Sequence, residues 1–486
     1  MGAERYALQR YGSWEWLDYD AFLVTSDGPE WARNAYGIMR ATVPAPAAHR
    51  VIAEDGRDLF EEWGTFVHYE IDSPGLKRRE WTGIVAEATL GANGWDLVIV
   101  EHPGYLKDTP YEGLIRGVRA DPAAMLRQLV VDVQAWRNAW YGCTVNGSTP
   151  VRLGSDLDDR IAAARAVMDQ RRLTLDSFSK TSRISTINMQ EDSVTLADEV
   201  AQARVLVTEA QNLITRLVFE NADAAQIEQA KQALATRRAT YNAALAGYNA
   251  EIAAGRAAVA TARRTKALAQ IDYDRAKASY DALKDQQRDG NGAYVVDGAE
   301  LPDAYKVLQD ICDTAGIEWT TSTVYTTGAP QVAINVHYPA AGTRRDDLVF
   351  DTAVNIIGAL ELERLEYANA AAGIGAGEGS KAIRETMSVP TERMRRAVTV
   401  EDKSAKTRAQ IQARLRSELK ATTGELFPHS IEVREHPNCP IGAWRVGDLI
   451  QIDGITTIGT RWSGLARVES WSRPSSNRAS IQLVPA

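Results

Sequence analysis

The chain has 486 residues, room for three or four domains, and carries 55 basic against 64 acidic side chains for a net charge of −9. That balance speaks against nucleic-acid binding by bulk charge, because phosphate recognition needs a basic footprint. Cys143, Cys312 and Cys439 are too few and too widely spaced for a disulfide framework or a metal knuckle, which points to folding in a reducing cytoplasm. The opening MGAERYALQR has no secretory apolar core, and Tyr6 stands where a myristoylation signal needs Ser or Thr. No apolar run approaches the roughly 18–20 residues of a membrane helix, so a soluble chain is expected.

In chain order, WTGIVAEATL at 81–90 and WDLVIVEH at 95–102 bracket a Gly-Ala-Asn-Gly turn and predict a hairpin. DPAAMLRQLVVDVQAW then predicts an amphipathic helix, with Pro122 in its first turn and Leu126, Leu129 and Val133 on one face. Between residues 155 and 289 there is no Trp, Pro or His, and Gly247 and Gly255 are the only glycines. So long a stretch without helix breakers predicts helix. It holds 19 basic and 19 acidic residues, so the whole acidic excess, 45 against 36, lies outside it. Ser155 followed by Asp158 gives a capping-box-like start, Asn221 marks a turn with a fresh N-cap after it, and Gly290 suits a left-handed C-cap. The two sides of Asn221 are nearly equal, which predicts an antiparallel coiled-coil hairpin with arms on the order of 100 Å.

The expected seam of that hairpin is Leu206 and Leu213, seven apart with Leu217 beside them, on the first arm and Ile227, Leu234, Tyr241 and Tyr248, at spacings of seven, on the second. Its phase then shifts to Ile252 and Val259, and later to Tyr273, Tyr280 and Leu283. Residues 173–190, rich in Ser, Thr and β-branched side chains, are expected to interrupt the first arm.

After the hairpin, LPDAYKVLQDICDTAGIEW predicts a helix closing at Gly316, QVAINVHYP a strand, and DDLVFDTAVNIIGAL a further helix. The tail, GDLIQIDG and ARVESWSRPSSNRASIQLV, alternates as three or four strands of a small barrel or sandwich. The expected architecture is therefore α+β and multidomain, with small β-barrel or sandwich domains and a long helical hairpin inserted mid-chain. Its boundaries are 1–154 for an N-terminal β-domain with one helix, 155–290 for the hairpin, 291–366 for an α/β domain and 367–486 for a C-terminal barrel.

Motifs for chemistry are sparse. Gly373, Gly375, Gly377 and Gly379 alternate ahead of Lys381, but Ser380 breaks a Walker loop and Glu378 with Ser380 breaks the dinucleotide fingerprint. A structural loop, where glycine lets backbones approach closely, is the expectation, with no cofactor. His102 and His436 both sit in Glu-His-Pro, and His436 with Cys439 lacks the second pair a metal site needs, so no metal is expected. No Gly-x-Ser-x-Gly elbow or His-Glu-x-x-His is present, and the tryptophans are read as core. No catalytic residue is assigned.

The order of segments resembles a family. RATVPAP and WTGIV come first, then the helical insertion, LPDAYKVLQDICDTAGIEW, NAAAGIGAGEGSKAIRE and a closing VGDLIQI with RVESWSR. This resembles the minor tail proteins of long-tailed actinobacteriophages, which are similar to baseplate-hub proteins. The resemblance covers all but the hairpin. It implies a non-enzymatic virion protein at the phage tail tip, a homotrimer whose two small barrels per copy make a pseudo-hexameric ring. It further implies contact with the distal tail protein, the tape-measure protein and fibre or other baseplate proteins, without membrane or specific nucleic-acid binding. The alternatives are a tail-associated cell-wall-degrading enzyme and a host-glycan adhesion module.

Overall fold

The computed structural model describes residues 3–45, 47, 52–73, 76–288, 292–324, 328–377, 382–402, 405 and 408–486. The chain divides into one compact unit made of Met1–Asp156 with Asp289–Ala486, and a second made of Leu157–Arg288.

In the first unit the chain begins with β1 (Ala3–Arg10), β2 (Trp16–Ala21), β3 (Val24–Thr25), β4 (Glu30–Ala32), β5 (Ile38–Pro44), β6 (Thr65–Ser73), β7 (Leu76–Gly91) and β8 (Gly94–Glu101). All but β4 join one sheet in the order β2-β1-β6-β7-β8-β5-β3. Its edges, β2 and β3, are neighbours in sequence: Ala21 and Val24 can lie at most about 11 Å apart. A flat seven-stranded sheet would separate them by about 29 Å, so the sheet curls round on itself. Leu8, Met39, Trp81 and Ile99 are wholly buried in its core. The β7–β8 turn pairs Gly91 with Gly94, and Gly94 has φ +119° with its α-carbon against the Val43 carbonyl, a place closed to any β-carbon.

A short 3₁₀ turn (His102–Leu106) leads to β9 (Leu114–Gly117), α1 (Pro122–Gln134) and β10 (Cys143–Asn146). The chain then passes through α2 (Leu157–Phe219) and α3 (Ala224–Arg288) and returns as β11 (Tyr294–Asp297), α4 (Ala304–Ala315), β12 (Glu318–Val324) and β13 (Gln331–His337). Asp121 caps α1 by accepting from the Ala123 amide, and Asp303 caps α4 by accepting from Lys306. Gly316 ends α4 at φ +62°. Strand β10 pairs in parallel with β13, and α1 and α4 share one core, with Leu126, Leu129, Leu308 and Ile311 wholly buried. This α/β layer is thus assembled from both sides of the insertion, and crosses the boundary expected at 154.

The insertion point is pinned. Ribbon β9–β11 pairs Gly117 with Tyr294, and the Ser155 amide donates to the Gly292 carbonyl at 3.1 Å. Gly154, at φ +72°, lies against Gly117 O so closely that a β-carbon would sit 1.9 Å from it. Exit and re-entry of the chain are therefore adjacent.

The remainder is β14 (Arg344–Asp351), β15 (Glu363–Arg364), β16 (Ala370–Ile374), β17 (Arg384–Ser388), β18 (Ala397–Glu401), α5 (Arg408–Ala421), β19 (Leu426–Phe427), β20 (Ser430–Arg434), β21 (Leu449–Ile455), β22 (Arg461–Ser475) and β23 (Arg478–Pro485). A second sheet runs β14-β21-β22-β23-β20, with β4 added beside β22. The chain just after β14 bridges Ile356 to Val433 on β20, the opposite edge, so this sheet curls as well. A small layer of β17-β16-β18 under α5 lies between β15 and β19 in sequence. The architecture is mixed α+β, with curled sheets and a long helical hairpin.

The helix expected over DDLVFDTAVNIIGAL does not form. Leu348 and Phe350 are buried while Val349 is exposed, an alternation of period two, and β14 pairs with β21. A turn follows in which the amides of Val354, Asn355 and Ile356 all donate to the Asp351 carbonyl.

The second unit is an antiparallel pair of helices, α2 and α3. Asn221 turns the chain in the left-handed region at φ 46°, and the Asp223 carboxylate accepts from the Ala225 amide at the start of α3. Helix α2 runs unbroken through 173–190, contrary to the expected interruption. Thr174, Thr181 and Thr186 turn their hydroxyls back onto the carbonyls of Gln170, Ser177 and Ser182, so they make their hydrogen bonds within the helix.

Candidate functional site

Three features carry the organisation of the molecule: the hairpin seam, the glycine run and a junction inside the first unit.

Along α2 one seam column is Ile161, Met168, Leu175, Ser182, Met189, Leu196, Ala203, Ala210 and Leu217, and the next includes Val200, Val207 and Ile214. All are buried or half-buried at spacings of seven. Leu206 and Leu213, expected in the seam, are instead 44% and 45% exposed, one position away from Val207 and Ile214. Small side chains at 203 and 210 occupy the buried column, so the longer leucines fall on the flank. There the Leu206 carbonyl accepts from Arg237 Nη1 at 3.0 Å.

On α3, Ile227, Leu234, Tyr241 and Tyr248 are half-buried, and their column continues without a break through Gly255, Ala262, Ala269, Ala276 and Leu283. Ile252, Val259, Tyr273 and Tyr280 form the companion column. The expected phase shift after Tyr248 is absent because the repeat persists through residues too small to mark it. Gly255 leaves room for Met189, whose Cγ would lie 2.8 Å from a β-carbon there. Gly290 lies outside the described residues.

The glycine run splits. Gly373, in the central strand β16, has α5 directly over it: a β-carbon would sit 2.3 Å from Ile411 Cγ2. At Gly375 the obstacle is the Ala405 carbonyl, 2.8 Å away. Gly377 has φ +102°, and Gly379 and Lys381 lie outside the described residues. Gly373 and Gly375 thus let α5 and the Ala405 backbone approach β16 closely.

The junction is made by residues 30–37, which nothing in the sequence singled out. Strand β4 pairs with β22, and Trp31 stacks on Trp471 with centroids 4.1 Å apart. Asn34 and Trp319 exchange hydrogen bonds, Asn34 N to Trp319 O and Trp319 N to Asn34 Oδ1, both at 2.9 Å. Arg33 Nη1 donates to Glu318 at 2.6 Å, and the same guanidinium is paired with Glu469. Glu318 also receives Arg467, at 2.8 and 2.5 Å, and the Ala341 amide at 2.7 Å. One carboxylate on β12 is thereby held by arginines from both curled sheets' segments, a geometry that orders three layers at once.

Beside it, Glu101 is wholly buried and accepts from the Gly37 amide at 2.8 Å and the Thr321 hydroxyl at 2.9 Å. Burial pushes its carboxyl up to about 7, against the lowering effect of those two hydrogen bonds. A cleft of about 900 Å³ adjoins the junction, lined among others by Trp31, Thr320, Asn335, His337, Arg345 and Trp471. Within it Thr320 bonds His337 at 2.9 Å.

Among the described residues no group of three or more His, Cys, Asp or Glu is placed to hold a metal ion. His102 is buried at the start of the 3₁₀ turn. His436 accepts from the Asn438 amide, and Cys439 is buried in the second sheet's core. Burial raises the thiols of Cys143, Cys312 and Cys439, so none is poised as a thiolate. No described helix is long and apolar enough to cross a membrane.

No known sequence family matches the chain, and no curated protein does. Among solved structures it is similar to the 43 kDa tail protein of prophage MuSo2 from Shewanella oneidensis, at 10% identity and a TM-score of 0.45, covering 99% of this chain and 98% of that one. It is similar to prophage tail protein gp18 from Listeria monocytogenes EGD-e, at 7% identity and a TM-score of 0.41, covering 98% and 94%. A third is the E. coli c3393 protein, a component of the type VI secretion system with structural similarity to phage T4 tail proteins gp27 and gp5. The match has 6% identity and a TM-score of 0.37, covering 99% and 76%.

Proposed function

We propose that this protein is a structural hub of a phage tail, a minor tail protein that closes the distal end of the tail tube as a homotrimer. In this reading it organises the baseplate for host attachment and DNA passage, and it acts by binding rather than by chemistry. The observation that carries the reading is the presence of two curled sheets, of seven and six strands, in one compact unit. Three copies then offer six such sheets around one axis, matching a tube of sixfold pattern with a threefold plug. The order of sequence segments, from RATVPAP to RVESWSR, supports the same assignment by resemblance.

The partners follow from that position: the distal tail protein above, the tape-measure protein inside, and fibre or baseplate proteins below. The hairpin serves as a coiled-coil element that engages neighbours in the assembled tail. The acidic excess suits a conduit for DNA, since like charge disfavours phosphate contact along the wall. Native mass spectrometry of the purified full chain tests the stoichiometry. A particle of three 53.3 kDa chains, about 160 kDa, is expected; a chain that stays single at micromolar concentration contradicts it.

A further inference from the structure

The acidic excess of the molecule is unevenly spread. Residues 367–424, which hold β16, β17, β18 and α5, contain 11 basic and 6 acidic side chains, a net charge of +5. Taking that +5 from the total of −9 leaves −14 on all the rest. The loop between β17 and β18 concentrates the basic part: Arg393, Arg395 and Arg396 are exposed and flank Met394, which is 91% exposed, with Val389 at 53% nearby. Arg393 lies over the Tyr367 ring at 4.9 Å, and among the described residues no carboxylate pairs with any of the three guanidiniums. An exposed methionine amid arginines that have no carboxylate partner among the described residues is a surface fitted to a partner both apolar and acidic.

The same unit carries such a surface. Around β2, the edge strand of the first sheet, Tyr19 is 57% exposed and Phe22 63%, with Glu15, Asp20 and Asp27 exposed beside them. Among the described residues no cation pairs with those three carboxylates. Charge and apolar character are therefore complementary between two distinct patches of one chain. We propose that the 389–396 loop of one copy docks on the acidic, aromatic edge at residues 15–27 of a second copy.

Because the two patches differ, the contact is heterologous: each copy gives its loop to one neighbour and its edge to another, so copies join head to tail and close into a ring when the rotation permits. The inference rests on the reading of a self-assembling tail component and names the surface through which copies meet. Opposed charges also fix which patch meets which, since loop against loop and edge against edge both repel. Duplex DNA is the competing occupant of a basic loop, but it leaves the exposed tyrosine and phenylalanine of the edge without a partner.

The test is sedimentation of the full chain and its charge-reversed forms. Arg395→Glu with Arg396→Glu, and separately Asp20→Lys with Asp27→Lys, are expected to weaken self-association at least tenfold. Combining all four substitutions is expected to restore it, a rescue that misfolded variants do not give. Raising salt from about 50 mM to 1 M weakens the unmodified contact as well, because screening shortens to about 3 Å. An oligomer unchanged by either pair overturns the proposed contact and leaves the hub reading standing. Unmodified protein that never self-associates overturns both. Loss of retention on duplex DNA in the arginine variant, with its oligomeric mass intact, assigns the loop to nucleic acid and overturns the contact.

Discussion

Glu318, the first residue of β12, and Glu101, which ends β8 and bonds Thr321 of β12, hold that strand in opposite ways. Glu318 lies among guanidiniums: two arginines and a backbone amide converge on it while its side chain keeps only 15% of its exposure. Removing one partner of a pair so buried costs about 3–5 kcal/mol, because the arginines remain without it. Glu318→Gln is therefore expected to lower the urea midpoint of the first unit's unfolding, and Arg467→Met together with Glu318→Leu to recover part of the loss. Glu101 instead favours its neutral form. Its folded-state affinity for a proton, raised to about 7 from 4.5, contributes stability that is complete below pH about 4.5 and is lost as pH rises through 7. The loss by pH 8 is on the order of 3 kcal/mol. Glu101→Gln keeps an acceptor for the Gly37 amide and cannot ionise, so relative to the unmodified chain it is expected to gain stability between pH 5 and pH 8. Equal midpoint differences at the two pH values contradict this.

Among the elements, the hairpin shows what a two-helix layer can bury. Beyond Leu157 and Ile161 at the start of α2, its buried positions are small apart from Val259, namely Ser182, Ala203, Ala210, Ala230 and Ala269, whereas Tyr241 and Tyr248 are half-covered. The helix glycines separate propensity from packing. Gly247 has no neighbour near the place of a β-carbon, so Gly247→Ala is expected to stabilise the hairpin by about 0.5–1 kcal/mol. Gly255→Ala gains the same propensity but meets Met189, and is expected to be neutral or destabilising. Thermal unfolding followed by helical dichroism distinguishes them; identical shifts contradict the seam described. In β16, Gly373→Ala drives a methyl into Ile411 and is expected to cost about 1–3 kcal/mol.

These elements also show what local sequence conveys. Large residues seven apart, Ile227 to Tyr248, mark the second arm, and Asn221 marks its turn, because both signals are local. The seam fades where alanine and glycine take over the same column, and it slips by one position at Leu206 and Leu213, where size misleads about which face is shared. The helices and a strand of the α/β layer are legible locally, but their assembly is not: Asn146 and Asn335 face each other across 189 residues. The junction at residues 30–37 is equally silent, since Arg33 and Trp31 acquire meaning only when Glu318, Glu469 and Trp471 arrive from far along the chain.

For the molecule as a whole, the pinned insertion point makes the hairpin separable by construction. Ser155 and Gly292 are already hydrogen-bonded, and the ribbon of β9 and β11 closes beneath them. Removing Leu157–Arg288 and joining the ends with a short Gly-Ser link is expected to leave a soluble first unit that unfolds cooperatively; aggregation of that form contradicts the separability. Such an insertion lets a chain acquire a long helical element without disturbing the sheets that form its frame. In the proposed hub, three copies with two curled sheets each ring the distal end of a tail tube. Cryo-electron microscopy of intact tails tests it most directly. A threefold ring at the tube's distal end, with six barrel-like densities fitted by residues 3–101 and 344–485 of three chains, is predicted. A distal end with this chain absent, or present with only one curled sheet in the ring, would contradict it.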